Sequence, residues 1–305
     1  VKPDLIALAL SDRRGRMPAA ELLEFQANGI IVEDVADAYE RVTGKLPIEV
    51  VTPGQLIASQ RLRKSRALKL AQRLISCCAA AMILVAAAPF LLLIVVAIKI
   101  DSGGPVFFRH RRLGKNGRPF DLIKFCTMVP AEKTTSEWVK DNRSRITRLG
   151  KWLRRLRLDE LPQLVNVVRG DMNLVGPRPH PTSNLQLFSD SIPYYSLRDS
   201  ILPGITGWAQ VRYHYANSLE EETEKMRYDL YYIKHMSLWL DATILFRTLR
   251  LFAGSIVSAA REDGTGTVTL PSGIGPQRLR IRREMPSRGS ASDTGRAAIR
   301  ARDAQ

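Results

Sequence analysis

The chain has 305 residues, 46 of them Lys or Arg and 30 Asp or Glu, giving a formal charge of +16 and a pI near 10.2. That length allows one large domain or two modest ones with a sizeable core, and that charge implies an anionic partner: nucleic acid, acidic lipid or a phosphorylated substrate. Three cysteines, Cys77, Cys78 and Cys126, without C-x-x-C spacing, exclude a disulfide framework and a cysteine metal site and read as reduced thiols of a cytoplasmic setting.

In chain order, residues 4–10 read as a buried strand, 18–28 as a helix stopped by Gly29, 30–35 as a second strand and 36–42 as a second helix ending at Gly44. This β-α-β-α order suggests part of a parallel, doubly wound sheet, without a G-x-G-x-x-G phosphate loop. Basic residues then crowd together: Arg61, Arg63, Lys64, Arg66, Lys69 and Arg73. They precede Leu74–Ile98, 25 residues without a charge, enough to cross a hydrocarbon core of ~30 Å. Basic residues beside apolar ones favour an anionic membrane surface. Pro89 removes a backbone bond and clashes with the carbonyl of Val85, so a kink or break is expected there. Basic flanks at both ends fit a re-entrant hairpin, with a simple span as the alternative.

From Asp101 the pattern becomes globular. Residues 106–109 and 120–125 read as strands joined through the Gly114–Gly117 turn. Residues 146–156 read as a helix with Leu149, Trp152, Leu153 and Leu156 on one face, suited either to the membrane interface or to an ordinary core. Residues 160–168, 218–234 and 238–256 read as further helices, and 263–305 as a disordered Gly/Ser/Arg-rich tail.

Two places carry chemistry. In Leu158-Asp159-Glu160-Leu161-Pro162, proline suits a first helical turn and Asp159 suits the cap before it. A carboxylate there is either a plain cap or a nucleophile at the positive end of a helix, able to attack phosphorus. In Gly176-Pro177-Arg178-Pro179 two prolines fix the backbone around a guanidinium, a good clamp for phosphate or a rigid turn with a solvated arginine. His110, His180, His214 and His235 show no metal spacing, and no recognition helix or aromatic-basic platform is apparent, so nucleic acid is not an expected partner.

With these residues in place, the chain resembles the bacterial sugar transferases, monotopic phosphoglycosyl transferases acting on polyprenyl phosphate. The resemblance covers about residues 66–255. It rests on Asp101-Ser-Gly-Gly-Pro-Val-Phe-Phe-Arg109, Arg112-Leu-Gly-Lys-Asn-Gly-Arg-Pro-Phe120, Lys124-Phe-Cys-Thr-Met128, Arg145-Ile-Thr-Arg-Leu-Gly150, Leu158-Asp-Glu-Leu-Pro-Gln-Leu164, the run from Gly170 to Pro179, and Pro203-Gly-Ile-Thr-Gly-Trp-Ala-Gln-Val211. Residues 212–240 look most like the exopolysaccharide-initiating branch linked to exosortase loci, in which a Rossmann-like domain precedes the membrane segment; residues 1–57 look like its last part.

The resemblance implies an α/β (α+β) catalytic domain with a re-entrant membrane helix hairpin kinked at Pro89, preceded by a partial Rossmann-like βαβα segment. The implied boundaries are 1–60, 61–100 for the basic flank and membrane helix, 101–262 for the catalytic domain, and 263–305 for the tail. It implies a glucose- or galactose-type undecaprenyl-phosphate sugar phosphotransferase at the cytoplasmic face of the inner membrane. Asp159 would be the nucleophile and a ligand of Mg²⁺, Glu160 an assisting base or metal partner. Lys124, Arg154, Arg178 and Gln210 would hold phosphate or substrate. The implied partners are a UDP-sugar, polyprenyl phosphate and anionic membrane lipids, with a homodimer as an open alternative. A catalytically impaired membrane scaffold is the rival reading. Three departures stand out: Ala88-Pro89 in place of Ser-Pro, Cys126 where many members carry Arg or Lys, and Arg212-Tyr-His-Tyr in place of Asn-Gly-Arg.

Overall fold

The computed structural model describes residues 3–9, 17–58, 62, 64–129, 145–213, 216 and 218–262. Arg61, Arg63, His214 and the 263–305 tail lie outside the described residues.

The N-terminal part places β1 (Leu5–Leu8) parallel to β2 (Ile31–Asp34), with α1 (Ala19–Ala27) between them. Asp34 caps α2 (Val35–Thr43) by accepting from the Ala36 N–H at 2.9 Å, and Gly44 ends it at φ 68. A short α3 (Pro53–Ala58) follows. This part is not a separate lobe. Leu46, Ile48, Val51 and Leu56 share one buried cluster with Phe188, Met226, Leu230 and Ile233.

Ser65 caps α4 (Arg66–Ser102), 37 residues long, which at ~1.5 Å per residue would reach about 55 Å. It is long and apolar enough to cross a membrane, and 11% of its most apolar stretch is buried. The residues on both sides of Pro89 are helical, and Pro89 itself lies inside α4. The loss of one backbone bond to Val85 is tolerated inside so long an apolar helix. Both ends of α4 are tied to the same globular body. Near its start, the Arg73 guanidinium donates to the Val168 and Met172 carbonyls at 3.0 Å each, and Ser76 Oγ accepts from the Leu174 N–H at 3.2 Å. Near its end, Ile94 and Ile98 pack with Phe125 and Leu153, and Asp101 accepts from the Leu149 N–H at 3.3 Å.

The body is assembled from small pieces. β3 (Phe107–Leu113) and β4 (Pro119–Phe125) form an antiparallel hairpin with Phe107 opposite Phe125 and Leu113 opposite Pro119. Then come α5 (Arg148–Arg155), capped by Thr147, a 3₁₀ turn at Leu158–Glu160, and α6 (Gln163–Arg169), ended by Gly170 at φ 104. β5 (Asn173–Val175) pairs parallel with β6 (Gly204–Thr206), with α7 (Leu185–Ser191) between them in sequence. A Cβ on Gly204 would lie 2.1 Å from the Gly176 N, so only glycine permits that approach. α8 (Trp208–Arg212), α9 (Leu219–His235) and α10 (Leu238–Glu262) complete the chain. The main core gathers Ala80, Leu164, Val167, Met172, Trp208, Tyr232 and Ile244, from α4, α6, the α6–β5 connection, α8, α9 and α10.

Candidate functional site

The Asp159–Glu160 pair sits on the 3₁₀ turn, one turn ahead of α6. The residue before that turn, Arg157, adopts φ 51 and ψ 23. A non-glycine residue in that left-handed region costs about 1 kcal/mol, and here it reverses the chain between α5 and α6. This corrects the expectation that Asp159 caps a helix beginning at Glu160. The residue before α6 is Pro162, which makes no side-chain cap bond. The carboxylates are therefore not placed by a helix end; side-chain cations surround them instead.

Glu160 Oε1 accepts from Arg178 at 2.7 Å and from Lys124 Nζ at 3.1 Å, while Arg157 approaches Oε2 at 3.9 Å. Burial pushes the Glu160 carboxyl up, but Arg178 and Lys124 outweigh it and hold the group well below the usual carboxylate range. Asp159 behaves in the opposite way. Burial and the neighbouring Glu160 charge raise its pKa, against the pull of Lys124, Arg154 and Arg178. Among the described residues, no hydrogen bond or ion pair engages its carboxylate. Burial likewise lowers the Lys124 pKa, with Arg178 adding to it against the pull of Glu160 and Asp159.

Each cation has its own support. Lys124 is fixed by β4, whose neighbour Ile123 donates its N–H to Asn166 Oδ1 at 3.0 Å. Asn166, fully buried in α6, also donates to the Asp121 carbonyl at 2.8 Å and to Asp171 at 3.0 Å, locking α6 to β4. Arg154 donates through Nε to Thr127 Oγ1 at 2.8 Å, just past Cys126. Arg178 is held from behind: Arg198 donates to its backbone carbonyl and, through Nε, to Asp229 at 2.9 Å. The same buried group contains His180, in contact with Tyr195 Oη at 2.7 Å and Glu222 at 3.4 Å, and Lys225, which donates to Glu222 at 3.0 Å. Burial and the Arg198 charge hold His180 well below its ordinary pKa, so it is neutral.

The structure thus brings together Asp159, Glu160, Lys124, Arg154 and Arg178 as the sequence suggests. Gln210 makes no hydrogen bond to them among the described residues: its amide donates to the Ile205 carbonyl at 2.9 Å, beside the close Gly176–Gly207 approach. Pro89 lies inside α4, away from the acid pair in the chain. Sequence reading missed Asn166, Thr127 and Arg198. A polar Asn inside the apolar run 164–168 was the available signal for the first; nothing local flags the other two. No group of three or more His, Cys, Asp and Glu side chains that could hold a metal occurs among the described residues. Magnesium, however, is commonly held by one or two carboxylates together with substrate phosphates, and the unpaired Asp159 fits that donor set.

The family model for bacterial sugar transferases matches residues 67–255. The chain is 46% identical over 156 residues to a UDP-N-acetylgalactosamine-undecaprenyl-phosphate N-acetylgalactosaminephosphotransferase of Aeromonas hydrophila, covering 51% of this chain and 37% of that one. It is 46% identical over 157 residues to a UDP-glucose:undecaprenyl-phosphate glucose-1-phosphate transferase of Xanthomonas campestris pv. campestris, covering 50% and 32%. It is 39% identical over 183 residues to the "uncharacterized sugar transferase EpsL" of Bacillus subtilis, covering 56% and 85%. The matched segment therefore spans about a third of the first two relatives.

Proposed function

The chain belongs to the bacterial sugar transferases, and from that premise we propose that it moves a sugar 1-phosphate from a UDP-sugar to undecaprenyl phosphate, releasing UMP, as the first membrane step of an exopolysaccharide pathway. The observation that carries the reading is the contrast between two adjacent carboxylates, one saturated by cations and one free. A free, partly desolvated carboxylate of raised pKa is the more competent nucleophile. Asp159 attacks the β-phosphorus, and the bond from that phosphorus to the bridging oxygen breaks, UMP leaving with the electron pair. A phosphate oxygen of the polyprenyl phosphate then attacks the same phosphorus and releases the Asp159 carboxylate.

Glu160 holds Lys124 and Arg178 beside Asp159, and Arg154 adds a third cation. Together they offset the charge that gathers on the phosphoryl oxygens. Mg²⁺ shared between Asp159 and the diphosphate of the substrate would supply further charge neutralisation. The relatives named above act, by their names, on UDP-glucose and UDP-N-acetylgalactosamine, which makes these the first donors to try.

The placement of α4 supports a monotopic arrangement. Arg73 and Ser76 near one end, and Ile98 and Asp101 near the other, all contact the same body. A plain span would carry one of those ends away across the bilayer.

The test is UMP release from UDP-glucose, UDP-galactose and UDP-N-acetylgalactosamine by reconstituted enzyme with undecaprenyl phosphate. Asp159→Asn should lower it by roughly a thousandfold or more and abolish the phosphosugar adduct seen by mass spectrometry of wild type. Wild-type turnover by that variant would overturn the nucleophile assignment, and no turnover of any donor by wild type would favour the scaffold.

A further inference from the structure

Two arginines crowd one buried tryptophan. Trp208 opens α8, and its Nε1 is spent on the Gly44 carbonyl at 2.8 Å. The Arg212 Cζ, from the last residue of the same helix, lies 4.5 Å from the centre of the indole, and the Arg247 Cζ, from α10, 5.1 Å. Tyr231 stacks on the same indole at 5.8 Å, so the two guanidiniums share what remains of it. Among the described residues neither one makes a hydrogen bond or an ion pair. The acids of α9 do not serve them: Glu222, Glu224 and Asp229 are already paired with cations of their own. Burial lowers the Arg212 pKa, and the Arg247 charge lowers it further. A guanidinium stays charged all the same, so the fold holds two like charges together with only the indole to offset the repulsion.

We infer that Arg212 and Arg247 form a binding site for a phosphate monoester, separate from the catalytic cleft. Two unspent planar forks of donors suit an oxyanion with several acceptor oxygens. The charge selects the class. A phosphate monoester carries about −1.5 to −2 at neutral pH, which matches two guanidiniums, whereas a carboxylate or a phosphodiester carries a single charge. The cleft has its own cations: those acting on Asp159 and Glu160 are Lys124, Arg154, Arg157 and Arg178. Arg212 opens the Arg212-Tyr-His-Tyr segment, where this chain departs from the Asn-Gly-Arg of the family pattern, so the pair is a feature of this chain. Arg212 is exposed and Arg247 half-buried, so a ligand can reach both.

The experiment is equilibrium dialysis of the full chain in detergent against radiolabelled inorganic phosphate at fixed ionic strength. Wild type should hold one equivalent of phosphate that Arg212→Gln and Arg247→Gln each lose, while phosphate held in the cleft stays. Arg212→Lys keeps the charge without the fork and guards against a folding defect. It should hold the same equivalent about tenfold or more weakly, the scale of one lost charge-assisted hydrogen bond. Glucose 1-phosphate carries the monoester in solution and dioctanoyl phosphatidic acid carries it on a lipid; whichever displaces this equivalent at the lower concentration identifies the source. Equal uptake by wild type and Arg212→Gln overturns the inference. Displacement by the diester dioctanoyl phosphatidylglycerol as readily as by the monoesters overturns it too.

Discussion

Asp159 and Glu160 share a peptide bond and differ in everything that sets chemistry. One is raised by burial and a neighbouring charge; the other is held down by Arg178 and Lys124. Environments that push two carboxyls apart are how one turn supplies both a reactive group and a structural one. A third carboxyl offers a cleaner measurement. Asp241 is pushed up to about 6 by burial, although Tyr232 Oη donates to it at 2.7 Å and Gln72 at 2.6 Å. A carboxyl raised in the folded state is protonated there while still ionised in the unfolded chain. The fold therefore loses stability as pH rises from about 4 to about 6, and above that range it carries the full cost of the buried charge. Asp241→Asn removes the charge and keeps the bond from Tyr232, while the Gln72 amide turns over to accept from the new amide nitrogen. The variant in detergent should gain about 1–2 kcal/mol at pH 7.5, after allowance for partial exposure, and nothing at pH 4. Thermal unfolding across pH measures both; an equal gain at both ends would refute the linkage.

At the scale of elements, the site depends on how closely α5 approaches the end of β4. Gly150, in the first turn of α5, lies against the Thr127 backbone, and a Cβ there would sit 2.3 Å from the Thr127 carbonyl oxygen. The contact cannot relax by turning a side chain. Gly150→Ala should move α5 outward, break the bond from Arg154 to Thr127, and cost about 1–3 kcal/mol by overpacking. UMP release should fall along with the melting temperature, and a variant with wild-type values of both would show that the helix is free to shift. Much of this layout is readable in the sequence. The Gly114–Gly117 turn predicts the β3–β4 hairpin, and the acid pair and the proline-framed Arg178, both singled out in the sequence, meet in one ion pair. What is not readable comes from distance in the chain or from unusual backbone. Nothing near Arg157 signals a left-handed residue, so the sequence pattern reads as a capped helix where the chain forms a 3₁₀ turn. Arg198 finds Asp229 thirty-one residues away and Arg178 twenty residues back, pairings that no local pattern reveals.

For the whole molecule, the N-terminal part raises the question of independence. Read alone, residues 1–60 look like a structural or regulatory remnant. In the structure Glu40, 2% exposed, accepts from Lys234 at 2.7 Å and contacts His235 at 2.9 Å. Trp208 Nε1 donates to the Gly44 carbonyl at 2.8 Å, and Leu46 and Ile48 fill the core beside Met226, Leu230 and Ile233. These bonds reach α8 and α9, and α9 also carries Asp229, the anchor of Arg198, so loss of the N-terminal part reaches the cleft through two buried steps. Leu46→Ala should cost about 2–4 kcal/mol as a core truncation. Glu40→Ala should cost about 2–3 kcal/mol, because it leaves the buried Lys234 ammonium with only the more distant Asp37, at 3.3 Å. Removing residues 1–58 combines these losses and uncovers an apolar face of α9. That chain should melt far below the full one and lose UMP release. An appended unit would leave both unchanged when cut away, and calorimetry of the truncated protein beside the full chain separates the two.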